Sequence, residues 1–270
     1  MPLRMALLSD LHREASNLTI SPGDSHVLAV VGDLETPSHD LSTPGAVHTG
    51  VRWLTQQVSD RPVLFVPGNH DYENAKVSDA VAAMKRAAEG TNVRVLWNET
   101  FDHGGVRFIG TPLWTNPLRP GFKPERIMQA ITDRVGLRHS LDDHNKPLTS
   151  QWIVEQHRLA KEFIAHELAR DLHLPKVVLT HWAPSLRSQP GNFYFAGTDI
   201  EGYWASDCES LVAQAELWAH GHFHDSVDYR IGKDPKKGRV VSNPRGRSKL
   251  FNKAENKSFQ PTYIISVDTP

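Results

Sequence analysis

Cysteine is nearly absent from this sequence, and its scarcity limits both the covalent cross-links and the metal sites that the chain can have. Cys208 is the single cysteine in 270 residues. An intramolecular disulfide framework and a cysteine-rich structural zinc site are therefore both excluded. Any metal ion must be held by nitrogen and oxygen ligands.

Long apolar runs are missing as well. The N-terminal run from Met5 to Leu8 stops at Ser9. It is too short for the apolar region of a signal peptide and far below the roughly 18 residues of a membrane helix. No later apolar run approaches that length. We therefore expect a soluble, cytoplasmic protein that does not bind membranes.

The chain also lacks an excess of charge of either sign. Lys and Arg number 30 against 31 for Asp and Glu, so the net charge is -1. This balance gives no overall attraction to nucleic acid or to an anionic membrane. Any such preference has to come from a local patch.

Apolar runs and helical periodicity alternate along the chain, which favours a parallel or mixed sheet between helical layers. We expect one domain over residues 1–270, with an insertion or cap at about 115–147. Ser206 and Glu209 have the spacing of a capping box at the start of a short helix. Helices are predicted at 44–58, 77–88, 124–135 and 149–172. Strands are predicted at 5–9, 27–31, 63–66, 93–96, 106–110 and 176–180, with antiparallel strands at 227–231, 239–242 and 262–267 finishing a second sheet.

Histidine, in contrast to cysteine, is abundant. The chain has 15 His, the commonest metal ligand among side chains. Their positions matter more than their number, because several belong to polar motifs that directly follow a predicted strand. In chain order these motifs are Asp10-x-His12, Gly32-Asp33, Gly68-Asn69-His70-Asp71, His181 and Gly221-His222-x-His224.

The position of these motifs indicates a shared site. Ligands bind at the carboxyl ends of strands in open α/β sheets. In extended backbone, residues two apart point to the same side, so Asp10 and His12 can converge, as can His222 and His224. Each motif alone also fits an ordinary polar turn. Their joint occurrence at strand ends instead predicts a metal-assisted hydrolytic centre.

Taken together, the five motifs resemble the signature of the calcineurin-like metallophosphoesterases, from Met5 to about Pro244. In detail the chain is more similar to the bacterial phosphodiesterase-like members than to the protein Ser/Thr phosphatases. The resemblance implies the metallo-dependent phosphatase fold, a four-layer α/β/β/α sandwich of two mixed β-sheets flanked by helices. It also implies a hydrolase that acts on a phosphodiester or a phosphomonoester.

The resemblance further implies a role for each motif residue. Two divalent ions would be bound, with Mn, Fe and Zn all compatible with these ligands. A hydroxide that bridges the two ions would attack the phosphate, while His70 protonates the leaving oxygen as general acid. Asp10, His12 and His224 would hold one ion, Asn69, His181 and His222 the other, and Asp33 would bridge both.

Two further positions follow from the resemblance. Thr36 stands where the phosphatases carry an additional Asp that orients the general acid, and Asp71 is a candidate for that role. The sequence Asn243-Pro244-Arg245-Gly246 resembles one found after the last metal motif in some members, which implies that Arg245 lies near the substrate phosphate. The basic segment 230–257 around it, which includes Lys249, is otherwise a solvated surface.

Two other functions fit the sequence. A nuclease or nucleotide phosphodiesterase is motivated by the basic segment and by an aromatic loop where bases could stack. This loop runs from Gln189 to Tyr203 and its aromatic residues are Phe193, Tyr194, Phe195, Tyr203 and the adjoining Trp204. A non-catalytic binding scaffold with the same fold is disfavoured, because every metal-ligand position is filled. The physiological substrate and the oligomeric state are left open.

Overall fold

The structure is a computed structural model that describes residues 1–15, 18–118, 123–134, 137, 139–194, 196–198, 200–247 and 253–270. Residue 130 and residues 132–134 are described by their backbone alone. The predicted helix end at Val135, the loop residue Phe195 and the basic residue Lys249 lie outside the described residues.

Eleven named strands form two sheets in the described part of the chain. The first sheet has the order β11-β1-β2-β3-β4 and the second the order β5-β6-β7-β8-β10-β9. The strands are β1 (Leu3–Leu8), β2 (Val27–Val31), β3 (Val63–Val66), β4 (Val93–Val95), β5 (Glu99–His103), β6 (Val106–Gly110), β7 (Lys176–Leu179), β8 (Leu217–His220), β9 (Val227–Arg230), β10 (Arg239–Ser242) and β11 (Ile264–Val267).

Both sheets are mixed, with parallel strands at the centre. Strands β1 to β4 pair in parallel, and so do β6, β7, β8 and β10. Antiparallel strands lie at the edges, where β5 pairs with β6 and β9 with β10. The expectation that the last strand completes the second sheet is wrong, because β11 pairs antiparallel with β1 in the first sheet, with Leu3 opposite Val267.

The two sheets pack face to face. Alternate residues of β1, Leu3, Met5 and Leu7, belong to an apolar cluster that also contains Phe108, Leu179 and Val241 of the second sheet. The intervening residues of β1, Ala6 and Leu8, belong to the core on the helix side. Because side chains of a strand alternate between the two faces, each central strand is buried on both sides, which explains the continuous apolar runs in the sequence.

Helices cover the two outer faces of the sheets, which confirms the predicted four-layer α/β/β/α sandwich. They are α1 (Thr49–Gln57), α2 (Val77–Ala88), α3 (Pro124–Arg134), α4 (Ser150–Ala169) and α5 (Glu209–Val212). Their apolar stripes, such as Val51 and Leu54 in α1 and Ile153 and Ile164 in α4, are buried in the helix-side core. No helix in the described ranges combines the length and apolarity that crossing a membrane requires.

The segment expected to be an insertion lies between β6 and β7 and contains α3. It packs against the loop after β3, because Ser140 Oγ donates to Tyr72 O at 3.2 Å and Val77 N donates to Leu141 O at 3.0 Å. Its position beside the Asn69–His70 loop makes it one wall of the region described below.

One local prediction is wrong, and one strand was missed. Helix α5 begins after Cys208, whose side chain makes no capping bond, so Ser206 and Glu209 do not form a capping box. The Glu209 carboxylate instead accepts from Ser185 Oγ at 2.7 Å. Strand β5 was not predicted, because its polar sequence Glu-Thr-Phe-Asp-His lacks the apolar run of the other strands.

Candidate metal centre

The predicted motif residues come together at one edge of the two sheets. Each follows the carboxyl end of a parallel strand, β1, β2, β3, β7 or β8. The ligand atoms of Asp10, His12, Asp33 and His224 lie within 4.8 Å of one another, and those of Asp33, His181 and His222 also do. Asp33 therefore belongs to both groups. We call Asp10, His12 and His224 the first half-site, and Asn69, His181 and His222 the second half-site.

The first half-site is closely packed. His224 Nε2 lies 3.4 Å from Asp10 Oδ1 and 3.3 Å from His12 Nε2. The His12 Nε2 atom lies 3.9 Å from Asp33 Oδ2. One imidazole nitrogen from each histidine and one oxygen from each carboxylate thus surround a common point.

The second half-site meets the other oxygen of Asp33. His181 Nε2 lies 3.5 Å from Asp33 Oδ1 and 3.0 Å from Asn69 Oδ1. The ring centroid of His222 lies 4.9 Å from that of His181. Since the two Asp33 oxygens face different half-sites, this carboxylate is placed to link them.

Left-handed backbone, and not extended backbone, produces this convergence. Asp10, His12, Asp33, His222 and His224 all have positive φ, between 44° and 73°. Residues other than glycine rarely adopt this conformation, which carries a cost of about 1–3 kcal/mol and clusters at functional sites. The extended geometry that we expected for Asp10-x-His12 and His222-x-His224 is therefore wrong, although the side chains do meet.

Three motif glycines make room for the site. A Cβ atom added to Gly32 would collide with the His181 ring, and one added to Gly221 would collide with Asp10 Oδ2. At Gly68 it would collide with Asp33 Oδ1 and with His181 Cε1. Each glycine is thus needed for close approach of backbone to a candidate ligand.

Outer hydrogen bonds fix three of the imidazole rings. The Nδ1 atom of His12 donates to Glu14 Oε1 at 3.2 Å, and that of His224 donates to Glu255 Oε2 at 2.9 Å. His181 Nδ1 donates to the Val31 carbonyl at 3.1 Å. With the proton on Nδ1, each Nε2 presents its lone pair to the centre, which is the tautomer that binds a metal ion.

The electrostatics of the centre favour positive charge. Burial opposes ionisation of Asp10, yet His224 lowers the pKa of this carboxyl to about 2. Burial also opposes the charge of the histidines, but Asp33 raises the pKa of His181 to about 9, and Asp10 with Glu255 raises that of His224 to about 10. In the absence of other cations, protons on these rings compensate the two carboxylates.

The donor set fits divalent metal ions. The Nε2 atom of His222 is buried and has no hydrogen-bond partner among the described residues, and burial holds the pKa of this ring well below its usual value. A buried, neutral and unpaired imidazole nitrogen is costly unless it has a partner. Together with imidazole, carboxylate and amide donors in two overlapping groups, it fits the donors that divalent metal ions prefer.

His70 lies at the edge of the centre, with its Nε2 atom 3.9 Å from Asp33 Oδ2. Its backbone N donates to Asp33 Oδ1 at 2.9 Å, which ties the loop to the centre. Its Nδ1 donates to Glu73 Oε1 at 2.5 Å. Arg247 Nη2 lies 3.0 Å from Nδ1 and 3.2 Å from Nε2, so that it covers the face of the imidazole.

Asp71 does not take the orienting role that was considered for it. Its Oδ2 accepts from Gly68 N at 2.7 Å and from Asp33 N at 3.0 Å, and its Oδ1 accepts from Leu34 N at 3.1 Å. Asp71 therefore holds the β2 and β3 loops together. Glu73, three residues after His70, contacts the imidazole, and this spacing was the one signal from which the sequence could have revealed it.

Arg245 does not contact His70 or the two half-sites among the described residues. Its Nη1 donates to the Leu11 carbonyl at 3.3 Å, and the side chain is buried. The predicted contact of Arg245 with substrate phosphate does not agree with this position. The arginine beside His70 is Arg247, which the sequence did not distinguish from its basic neighbours. Glu14 and Glu255 were also missed, because no spacing rule links them to a histidine.

Aromatic side chains enclose the second half-site. The ring centroids of Trp182, Tyr203 and Trp204 lie 5.1, 5.3 and 5.7 Å from that of His222. Phe193 packs edge-on against Trp204 at 5.1 Å. Tyr203 and Trp204 of the predicted aromatic loop are thus packed into the wall of the centre, while Tyr194 is 84% exposed.

Comparison with known proteins identifies the class. The family description "Calcineurin-like phosphoesterase" matches residues 3–226, and the chain belongs to this family. It is accordingly a metal-dependent hydrolase that acts on phosphoric ester bonds.

Two particular proteins are similar along almost the whole chain. The uncharacterized protein L509 of Acanthamoeba polyphaga mimivirus is 24% identical over 269 residues, which cover 92% of this chain and 86% of that protein. The crystal structure of phosphopantetheinyl hydrolase (PptH) from Mycobacterium tuberculosis has a TM-score of 0.61 at 18% identity. The match covers 91% of this chain and 90% of the other. This second likeness supports the same fold.

Proposed function

We propose that the chain hydrolyses a phosphodiester or a phosphomonoester at a centre of two divalent metal ions, with His70 as general acid. One observation carries the proposal: the two groups of candidate ligands share Asp33, whose two oxygens face different half-sites. When bound, the ions would supply charge neutralisation and a water of lowered pKa. Mn, Fe and Zn all suit nitrogen and oxygen donors of this kind.

The residues around His70 support its role. A general acid must carry a proton and present it to the leaving oxygen. The Glu73 carboxylate accepts from Nδ1 and so orients the ring with Nε2 towards Asp33 and the centre. The bond between His70 N and Asp33 Oδ1 holds the loop beside the centre.

Arg247 is placed to bind the substrate. Its guanidinium lies against His70 and is exposed. A phosphate ester that enters the centre would pass this cation, and guanidinium pairs well with phosphate oxygens. We infer that Arg247, and not Arg245, contacts the ester on the side of the leaving group.

A panel of substrates tests the proposal and defines the ester. Purified protein is supplied with Mn²⁺ and assayed on an aryl phosphate, a bis-aryl phosphate and cyclic nucleotides, and its metal content is measured. We expect two ions per chain and turnover of one ester class. The Asp33→Ala variant should lose both. Asp171→Ala, which removes a carboxylate that is 83% exposed and belongs to neither half-site, should keep them; full activity in Asp33→Ala would refute the proposal.

A nuclease or nucleotide phosphodiesterase is the second candidate, and the aromatic wall favours it. Trp204 packs beside His222 and Phe193 packs on Trp204, with the exposed ring of Tyr194 next to Phe193 in the chain. Bases stack on such surfaces. Cleavage of single-stranded nucleic acid that falls steeply with salt would support this reading, and no cleavage at low salt would exclude it.

A further inference from the structure

A cavity lies beside Leu11, the residue between Asp10 and His12. Its volume is about 340 Å³, within the range of small-molecule sites. Its described lining residues are Leu8, Leu11, Leu18, Thr19, Ile20, Arg245, Ala254, Phe259 and Pro261. None of these is a candidate metal ligand. The cavity is therefore separate from the centre, although the Asp10–His12 turn borders both.

Among the described lining residues, Arg245 supplies the only charge. The residue is 2% exposed. Its guanidinium donates to a single acceptor among the described residues, the Leu11 carbonyl at 3.3 Å. No carboxylate of the described residues lies within ion-pair distance of it. Most of the guanidinium donors are thus unpaired.

A buried cation of this kind needs an anion. Desolvation of an unpaired charge costs several kcal/mol, and buried charges in proteins are normally paired. Burial lowers the pKa of Arg245, but arginine stays protonated under all ordinary conditions. The described lining residues include no carboxylate, so an anionic ligand in the cavity would supply the missing partner.

The other lining residues indicate that the rest of the ligand is apolar. Thr19 is the only other polar side chain among the described lining residues, and the others are aliphatic, aromatic or proline. One guanidinium matches one singly charged carboxylate, which it can bind through two parallel hydrogen bonds. A doubly charged phosphate would bury an extra charge with no partner. The volume equals roughly eleven water molecules, which suits a body of about eight carbons.

We propose that this cavity binds a small amphipathic carboxylate, with its anionic head on Arg245 and its aliphatic tail against Leu8, Leu11, Ile20 and Phe259. The head can use donors that the Leu11 carbonyl leaves unpaired, so binding does not break the existing bond. The Arg245 backbone N also donates to Ser9 O at 2.9 Å. A bound carboxylate therefore stabilises the Ser9–His12 turn from behind.

Thermal unfolding of the full chain with octanoate as probe tests this site. A ligand that binds only the folded state raises the Tm by mass action, and we expect a rise of about 5 °C at a hundredfold excess over Kd. Octanamide, which has the same body without the charge, should give no rise. An equal rise with octanamide would overturn the amphipathic carboxylate as ligand.

Two variants locate the binding. Arg245→Met removes the cation while keeping apolar volume, and Ala254→Trp fills the cavity while keeping the cation. The octanoate shift should vanish in both, and its persistence in Ala254→Trp would refute the site even if Arg245→Met fails to fold. No shift in the wild type would also refute it. The measurement needs no metal and no turnover, so its result is independent of the proposed hydrolysis.

Discussion

The two half-sites of the candidate metal centre differ in the groups that support them. In the first half-site, His12 and His224 each donate to an outer carboxylate, Glu14 or Glu255. In the second, His181 donates to a neutral backbone carbonyl, and Asn69 adds a neutral amide. Asp10 adds a further charge to the first half-site alone, so the negative charge of the centre is concentrated there.

Solvent access differs as well. The His224 side chain is 24% exposed, whereas His181 is fully buried and His222 is enclosed by three aromatic rings. Charge and basic imidazoles strengthen cation binding, so we expect the first half-site to bind its ion more tightly. The second half-site excludes water, which strengthens the electrostatic effect of the Asp33 carboxylate that both share.

The largest expected effect is a loss of turnover from a substitution that leaves both half-sites intact. His70→Gln removes the general acid without removing a candidate ligand, so turnover should fall by about 10²–10⁴-fold, with metal content unchanged. Steady-state kinetics and metal analysis on the same preparation measure the two quantities. Glu73→Gln keeps the imidazole of His70 but weakens its orientation, so turnover in this variant should fall less than in His70→Gln. A His70→Gln enzyme that has lost a metal ion would instead make His70 a ligand.

The sequence predicted the composition of the centre better than its geometry. The strand-end motifs predicted seven candidate ligands, and the structure brings these side chains together because parallel strands bring their carboxyl ends to one edge. The left-handed φ at Asp10, His12 and His222 could not be predicted, since only a few per cent of residues other than glycine adopt it, although Asp and His do so more often than most. The long-range partners also escaped prediction. His224 meets Glu255, and His70 meets Arg247 from 177 positions away, and no local pattern encodes contacts between loops.

A matched pair of glycine substitutions separates the half-sites. Gly221→Ala would push a methyl group into Asp10 of the first half-site, and Gly32→Ala would push one into His181 of the second. Each substitution should lower the affinity for one ion by more than about 100-fold, which is the upper end of the range for losing a hydrogen-bond partner of a ligand. Metal titration followed by analysis of bound stoichiometry measures this.

The control for that pair is Gly191→Ala, because an added Cβ at Gly191 meets no atom within 4 Å. We expect Gly191→Ala to bind both ions as the wild type does. If Gly221→Ala and Gly32→Ala each lowered the affinity for both ions equally, the two half-sites would bind metal as one cooperative unit. The proposed difference between the half-sites would then be wrong.

A smaller effect follows from the outer carboxylate of the first half-site. Glu14→Gln keeps the shape but removes the charge behind His12, so affinity for the first ion should fall by about 10–100-fold. The second ion should bind as before. Calorimetric titration resolves the two binding events, and Glu162→Gln, an exposed carboxylate on α4, is the control. Loss confined to the second ion would reverse the assignment of the half-sites.

The smallest expected effect is on stability and depends on pH. In the metal-free protein the pKa of His181 is about 9 and that of His224 about 10, above the ordinary value of 6.5. Because folding raises these two pKa values, the protonated rings stabilise the folded state fully below pH 6.5. This contribution to stability is lost as the pH rises through 9 to 10.

Metal-bound imidazoles are neutral and do not lose a proton in that range. The difference in Tm between metal-loaded and chelator-treated protein should therefore widen from pH 6.5 to pH 9, by about 5 °C or more. Differential scanning calorimetry of both forms at matched ionic strength measures it. Glu255→Gln removes one cause of the raised pKa of His224. In this variant the Tm difference should therefore increase less between pH 6.5 and pH 9. A constant difference across this range would show that protons do not occupy the centre in place of the cations.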